Sequence, residues 1–509
     1  MCTSVNERAV RFGRPLVQLS ALAICLLFSG CRVGPRYVPP PVQTAPAYKE
    51  LPQPAASTLE TWQTARPSDS ADRGKWWTAF NDPQLNELEE KANLSNRQIA
   101  VAVDNFLAAR ALVRQARSQY FPTLTTNPSV IRILPSPAQF SGLQAGSSSS
   151  SGFAVRTYND FSLPFDASWE PDFWGRVRNS VKTNTYAAQS SADDLENVRL
   201  GVQAELAVDY YELRAQDSLK KLFDATVAAY QADLDLTRSQ YMAGLSSDEA
   251  VAQAEAQLKG AQAHDTNLGI LRAQYEHAIA VLIGQSASVF SLPANDSEPD
   301  VPAIPVGVPS ELLERRPDIA SAERAMAQAN AEIGVAKSAY FPAVLLSATG
   351  GFGNSSLSNW LTWPSRFWSA GPSVAETIFD AGLRKATVQQ YRATYDETVA
   401  NYQQTVLTAF QQVEDNLAAL RILEQEIDQQ NAATDAAARA LQEATTRYKA
   451  GLDTYLNVIA AQTALLNDQQ AAVTFRMERT VAEVQLIKAL GGGWNAPQIP
   501  SAQDVGRGQ

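Results

Sequence analysis

Histidine is nearly absent from this chain of 509 residues: only His264 and His277 occur. They stand thirteen residues apart in a helical stretch, where 100° per residue turns them onto separate faces, so they cannot share a metal ion. Cysteine is equally scarce, with three residues, Cys2, Cys25 and Cys31, all near the start. An excess of basic charge is missing as well: 42 Lys and Arg face 53 Asp and Glu, a net charge of −11. That balance argues against nucleic acid, whose recognition needs clustered basic side chains. Beyond the first thirty residues no run of eighteen apolar residues occurs, so no transmembrane helix is expected. The glycine clusters "GGFG" at Gly350 and "GGGW" at Gly491 lack the strand–GxGxxG–helix frame of a phosphate cradle. Carboxylates are scattered at helical spacing among Lys, Arg and Gln, as on a solvated face. The inventory predicts no enzyme, no cofactor and no metal site.

The front end is better defined. "MCTSVNERAVRFGR" carries three arginines and one glutamate, and "PLVQLSALAICLLFSG" is an apolar stretch too short to span a bilayer. It ends in "LFSGC", with small Ser29 and Gly30 before Cys31, the pattern at which bacterial lipoprotein precursors are cut. A leucine commonly stands three places before the cysteine; here it is Phe28. Residues 1–30 therefore read as a signal peptide and Cys31 as the acylated first residue of the mature chain. Arg32 follows, with no aspartate to signal inner-membrane retention, which favours the outer membrane. With Cys2 and Cys25 removed and Cys31 lipidated, neither a disulfide nor a free thiol is expected in an oxidising compartment.

The chain repeats itself. "ARSQYFP" at Ala116 returns as "AKSAYFP" at Ala336, "YMAGLSSDEA" at Tyr241 as "YKAGLDTYLN" at Tyr448, and "DFWGRVR" at Asp172 faintly as "FDAGLRK" at Phe379. Echoes in the same order at offsets of 207 to 220 residues indicate a duplicated domain rather than a short-period solenoid. Each half carries a long helical pattern. Tyr395, Val399, Tyr402, Val406, Ala409, Val413, Leu417 and Leu420 step by threes and fours, as do Leu452, Leu456, Ile459, Thr463, Leu466, Gln470, Val473 and Met477. The two series make a coiled-coil hairpin turning at "KAGLD", with a first arm of roughly 100 Å. The first half predicts the same hairpin from about 177 to 240 and 247 to 283, turning at "YMAGL". Gly244 and Gly451 suit the left-handed position that ends a helix, and Ser246 with Glu249, and Asp453, are expected caps for the helices that restart.

Each "YFP" closes a helix, since Pro122 and Pro342 force extended geometry on the residue before them. Strand patterns follow. Leu346, Ala348, Gly350 and Phe352 alternate with Ser347, Thr349 and Gly351. In the first half Phe161, Leu163, Phe165, Ala167 and Trp169 alternate with Ser162, Pro164, Asp166, Ser168 and Glu170. Such alternation suits a barrel strand, apolar to lipid and polar to the lumen, or a half-buried strand of a soluble sheet; Pro164 removes a ladder donor under either reading. "GSSSSSG" and "GNSSLSNWLTWPSRFW" read as exposed loop tips. Two strands per half give four per chain, too few to close a barrel. An open edge in lipid leaves backbone groups unpaired at several kcal/mol each. Cyclic assembly of three copies supplies twelve strands.

The chain resembles TolC-type outer membrane efflux proteins of the NodT-like lipoprotein branch. The matching text is "CRVGPRYVPP" at Cys31, "WWTAFNDPQLNELEEKA" at Trp76, "GVPSELLERRPDIASAERAMAQANAEIGVAKSAYFP" at Gly307 and "KALGGGW" at Lys488. The resemblance implies a mainly α fold with a small β part: duplicated helical hairpins plus four strands, trimerising into a 12-stranded outer membrane barrel on a periplasmic α-helical barrel. It implies a signal peptide 1–30, a lipidated segment 31–75, repeats at 76–292 and 311–493 around a linker at 293–310, and a tail 494–509. A mixed equatorial region would be built from the chain ends and that linker. The implied function is a passive exit duct for drugs or other small molecules, a homotrimer in contact with outer membrane lipid, fed by an inner-membrane resistance-nodulation-division pump through a periplasmic adaptor. A protein-secretion duct of the same fold remains open, as does a structural envelope lipoprotein, which would lack the amphipathic strands. Tyr241, Gly244, Leu245, Gly451 and Leu452 would form adaptor-contacting tips. In relatives a leucine, followed four residues later by an aspartate, rings the narrowest point. Leu456 keeps the leucine, whereas Ala460 stands at the aspartate position and Asn457 is the nearest polar candidate. Tyr448, Lys449 and Asp453 would hold the closed tips to the neighbouring hairpin.

Overall fold

The computed structural model describes residues 33–41, 47–50, 74–134, 136, 157–295 and 315–492. The signal peptide, Cys31, the polar "GSSSSSG" loop, most of the linker and the tail 494–509 lie outside the described residues. The duplication is nearly exact in length. Helices α2 (Arg97–Ser118) and α5 (Pro317–Ser338) have 22 residues each. Helices α3 (Arg176–Met242) and α6 (Leu383–Lys449) have 67, and α4 (Asp248–Leu282) and α7 (Tyr455–Ala489) have 35. A short 3-10 turn (Trp76–Phe80) and helix α1 (Pro83–Ser95) precede them. Asp82 caps α1 by accepting from the Gln84 and Leu85 N–H groups, with Pro83 at the first position, where its missing N–H leaves nothing unpaired.

The chain divides into two compact units. One draws on Ala109–Ala187 and Met326–Thr398 and holds the sheet. Its strands are β1 (Thr123–Thr126), β2 (Ser129–Ile133), β3 (Tyr158–Trp169), β4 (Ala343–Asn354) and β5 (Arg366–Ala375), all pairs antiparallel. Both β1 and β2 pair with β3, followed by β4 and β5. The expected first strand is thus present but broken at Asn127–Pro128, since proline donates nothing to a ladder. Pro164 is accommodated opposite Gly351, where the chains approach so closely that a Cβ would stand 2.0 Å from the Leu163 carbonyl oxygen.

The repeated heptapeptide hands a helix over to a strand in the same way twice. After α2, the N–H groups of Tyr120 and Phe121 donate to the carbonyls of Arg117 and Ser118; after α5, Tyr340 and Phe341 donate to Lys337 and Ser338. Tryptophans seal both turns: Trp169 Nε1 donates to Tyr120 O at 3.0 Å, and Trp174 Nε1 to Pro342 O at 2.7 Å. The faint third echo is a shared capping device. Asp172 accepts from the backbone and guanidinium of Arg178, and Asp380 from those of Arg384, at the starts of α3 and α6.

The other unit draws on Pro39–Ala108, Ala188–Ala325 and Val399–Gln509. Its core joins Trp76, Trp77 and Phe80 to Leu85, Leu206, Tyr210 and Ile279. A buried ion-pair network fastens the start of the linker: Arg214 reaches Asp217 at 2.9 Å, Arg272 reaches Asp217 at 2.7 Å, and Asp217 accepts the Asn295 N–H. The predicted seam of α6 is present, with Tyr402, Val406, Ala409, Val413 and Leu417 buried. That of α7 is not. Its buried face runs through Tyr455, Val458, Gln462, Ala472 and Thr480, one residue out of phase, while Leu452 and Leu456 are exposed. Small and polar residues allow closer helix approach than leucine, so apolarity alone mislocates this face.

Candidate functional site

Two groups of residues invite a functional reading, one in each unit. The first is the sheet. Directly paired residues share a face, so the register places Leu124, Val130, Phe161, Leu163, Trp169, Phe352 and Trp368 on one side. Ser162, Asp166, Ser168, Ser347, Thr349 and Ser369 occupy the other. Thr349 Oγ1 donates to Asp166 Oδ1 at 2.6 Å. Among the described strand residues no side chain is buried: neither face is covered within the chain. Trp368 is 79% exposed. Among the described residues the outer strands β1/β2 and β5 pair along one edge only. Strands of 12, 12 and 10 residues match the length a tilted strand needs to cross a bilayer. Among the described residues, no helix is long and apolar enough to do so.

The second is the pair of hairpin turns. Gly244 and Gly451 adopt φ +74° and +71°, the left-handed geometry expected of them. Leu245 N donates to Gln240 O and Leu452 N to Arg447 O, closing both helix ends with the same six-to-one bond. The restart caps differ from expectation. Ser247, not Ser246, caps α4 by accepting the Ala250 N–H. Thr454, not Asp453, is the N-cap residue of α7 and makes no side-chain bond. The Asp453 side chain is engaged within its own turn, accepting from Thr454 N and Asn457 Nδ2 and facing Arg447 at 3.3 Å. Those donors, the backbone N–H first, hold its carboxyl below the ordinary range.

Tyr241, Leu245 and Leu452 are exposed, as are Lys449 and Asn457. Leu456 is 58% exposed beside them. Tyr448 is half-buried against Tyr455, ring centroids 5.2 Å apart, and its hydroxyl donates to Gln240 Oε1 at 2.7 Å. This bond joins the second hairpin to the first. Two more such bonds were not anticipated: Gln462 donates to Asp233, and Gln257 to Thr463. Burial pushes the Asp233 carboxyl up, opposed by the Gln462 donor. Beneath them Tyr230, Leu234, Leu258 and Val458 form a small apolar cluster. Of the two histidines, His264 stacks on Phe223. Among the described residues no group of three or more His, Cys, Asp or Glu could hold a metal.

A strap at the start of the described chain packs into the sheet-bearing unit. Asn179 Nδ2 donates to Val33 O and Asn330 Nδ2 to Pro35 O. Gly34, at φ +125°, lies so close to Gly334 that a Cβ would fall 2.8 Å from its Cα. The "VGPRY" text, from Val33, is thus a docking sequence.

Comparison with known proteins identifies the family. The outer membrane efflux protein family matches residues 88–285 and 308–492. The probable efflux pump outer membrane protein TtgC of Pseudomonas putida is 32% identical over 483 residues, 94% of this chain and 95% of that protein. The solved outer-membrane channel OprN has a TM-score of 0.77 at 29% identity, covering 91% of this chain and 100% of its own. The open state of the MtrE outer membrane channel of Neisseria gonorrhoeae has a TM-score of 0.76 at 26% identity, covering 92% of this chain and 100% of that one. The chain belongs to the outer membrane efflux protein family, a family of channels rather than enzymes.

Proposed function

We propose that this family member is the outer membrane channel of a tripartite efflux system, a passive exit duct for small molecules. The observation that carries the reading is the sheet: apolar on one face, polar on the other and, among the described residues, unpaired at both outer edges. In lipid such edges must be paired, and copies of the same chain are the available partners. Three copies give a closed barrel of twelve strands, each copy's broken β1/β2 counting as one. The polar faces then line a water-filled lumen. The names of relatives as efflux pump outer membrane proteins support the same reading.

The hairpin turns are the periplasmic tips in this account. Tyr241, Gly244, Leu245, Gly451 and Leu452 meet a periplasmic adaptor, which links the duct to an inner-membrane pump of the resistance-nodulation-division class. Leu456, with Asn457, narrows the closed duct, and Tyr448 holds the tips shut through Gln240. Lys449 stands exposed beside that bond. Asp453 does its part by fixing the turn from within. Cys31, two residues before the docked strap at Val33, carries the acyl anchor. The test is light scattering of the detergent-purified chain, combined with planar-bilayer recording. A trimer with single-channel conductance is expected; a monomer, or a trimer without conductance, would refute the reading.

A further inference from the structure

The described strands carry four charged side chains, and they sort by sign between the two faces. Arg132 pairs across from Asn159, and Arg366 from Phe352, which places both on the apolar face. Asp160 and Asp166 stand on the polar face. A polar lumen would solvate a guanidinium freely, yet both arginines point the other way. A guanidinium facing lipid costs about 2–4 kcal/mol at the midplane and about 0–1 near the interface. Both occupy the tolerant position. Arg366 is the first residue of β5 and Arg132 the last but one of β2, at the loop-bearing end of the sheet.

That end is also ringed with tryptophan. The Arg366 guanidinium lies 4.3 Å from the Trp363 ring centroid and donates to the Trp363 carbonyl. Trp363 is exposed, as is Trp368, which follows Arg366 on the same face. Indoles of this kind settle at headgroup level. The arginines flank the sheet on its two outer edges, since β2 and β5 are the outer strands. Once edges pair between copies, every seam of the barrel has one arginine on each side.

We propose that Arg132 and Arg366 form a binding site for a phosphorylated lipid headgroup of the outer leaflet, one site per seam. The inference rests on the trimeric duct described above. A planar guanidinium grips phosphate through two parallel N–H bonds, and a lipid bound at a seam ties one copy to the next. The bound lipid would thus act as mortar between protomers at the only places where the barrel is not covalently continuous.

The experiment uses the full-length chain purified as a trimer and reconstituted in vesicles of digalactosyldiacylglycerol, a bilayer lipid that has no phosphate. These are doped with lipid A, with lipid A stripped of its phosphates, or left undoped in buffer containing inorganic phosphate. The temperature at which the trimer dissociates is read, together with the lipid A retained per trimer. Lipid A is expected to raise the dissociation temperature, phosphate-free lipid A and inorganic phosphate are not, and R132Q with R366Q should abolish the gain. Each arginine removed should weaken lipid A retention about tenfold, the scale of one charge-assisted bond. Should the glutamine pair fail to assemble, R132K with R366K carries the test, with a loss of about tenfold, because an ammonium lacks the fork. Equal stabilisation by phosphate-free lipid A or by inorganic phosphate, or an undiminished effect in the variants, would overturn the site while leaving the duct intact. A wild-type chain that never trimerises would overturn both.

Discussion

Tyr448→Phe isolates the bond on which closure of the duct is argued to depend. The Tyr448 hydroxyl donates to Gln240 Oε1 at 2.7 Å, and the ring's contact with Tyr455 survives the change because phenylalanine keeps the ring. A neutral hydrogen bond is worth about 1 kcal/mol net, and the half-buried Gln240 oxygen regains water in part. A trimer has three such bonds. If the tips part together, the closed state loses about 3 kcal/mol, which raises the open-to-closed ratio by roughly 100-fold. Adding Leu456→Ala widens the constriction as well, so the double variant should be more open than Tyr448→Phe alone. The assay is resting conductance of single trimers in planar bilayers, with trimer integrity checked on unboiled gels. A Tyr448→Phe trimer that is intact and no more open than wild type would show that this bond does not hold the tips closed.

The remaining predictions concern the lumen, the tips and the core. Asp160→Asn with Asp166→Asn should shift the zero-current potential in a salt gradient away from cation preference, since carboxylate rings favour cations; an unchanged potential would place the selectivity elsewhere. Gly451→Pro should abolish drug resistance in a complemented deletion strain while the trimer still reaches the outer membrane, because φ +71° is closed to proline; normal resistance would refute it. Burial holds the Glu483 carboxyl up at about 7, opposed by Arg479. Its folded pKa exceeds the unfolded one, so its stabilising effect is complete below about pH 4.5 and is lost as pH rises through 7, by about 3 kcal/mol. Thermal unfolding followed by circular dichroism should show Glu483→Gln losing that slope; parallel pH profiles for both proteins would refute it. Glu89, fully buried, is pushed up by desolvation and acts in the same direction.

The parts of this fold that were legible in the sequence are those where two independent local rules agree. At "YFP" the proline forbids helix and the alternation that follows demands strand, and both copies obey. At "AGL" the glycine ends one helix and the apolar rhythm restarts the next, which placed the turns to within two residues. Where one rule stood alone it slipped. The restart caps moved by one residue, because Ser246 and Ser247 are equally able to accept an N–H and only backbone geometry chooses between them. The α7 seam slipped because the helix buries Gln462, Ala472 and Thr480 within its own chain and leaves Leu456 uncovered. In the proposed trimer a neighbouring copy is what would cover such positions.

The inter-hairpin bonds were illegible for a different reason. Tyr448 and Gln240 are 208 residues apart, and nothing local to either names the other. The separation nevertheless falls next to the 207-residue offset between the two tip motifs, so the tyrosine of one repeat bonds the residue just before its own counterpart in the other. Packing similar halves side by side brings equivalent turns together, and a tyrosine of fixed reach then finds a neighbour near its own equivalent position. The counterpart, Tyr241, stays exposed within the chain. Duplication has therefore been conserved in length but not in contact. The helices kept 22, 67 and 35 residues in both halves. The tips were free to diverge, and the bond is made from one side only.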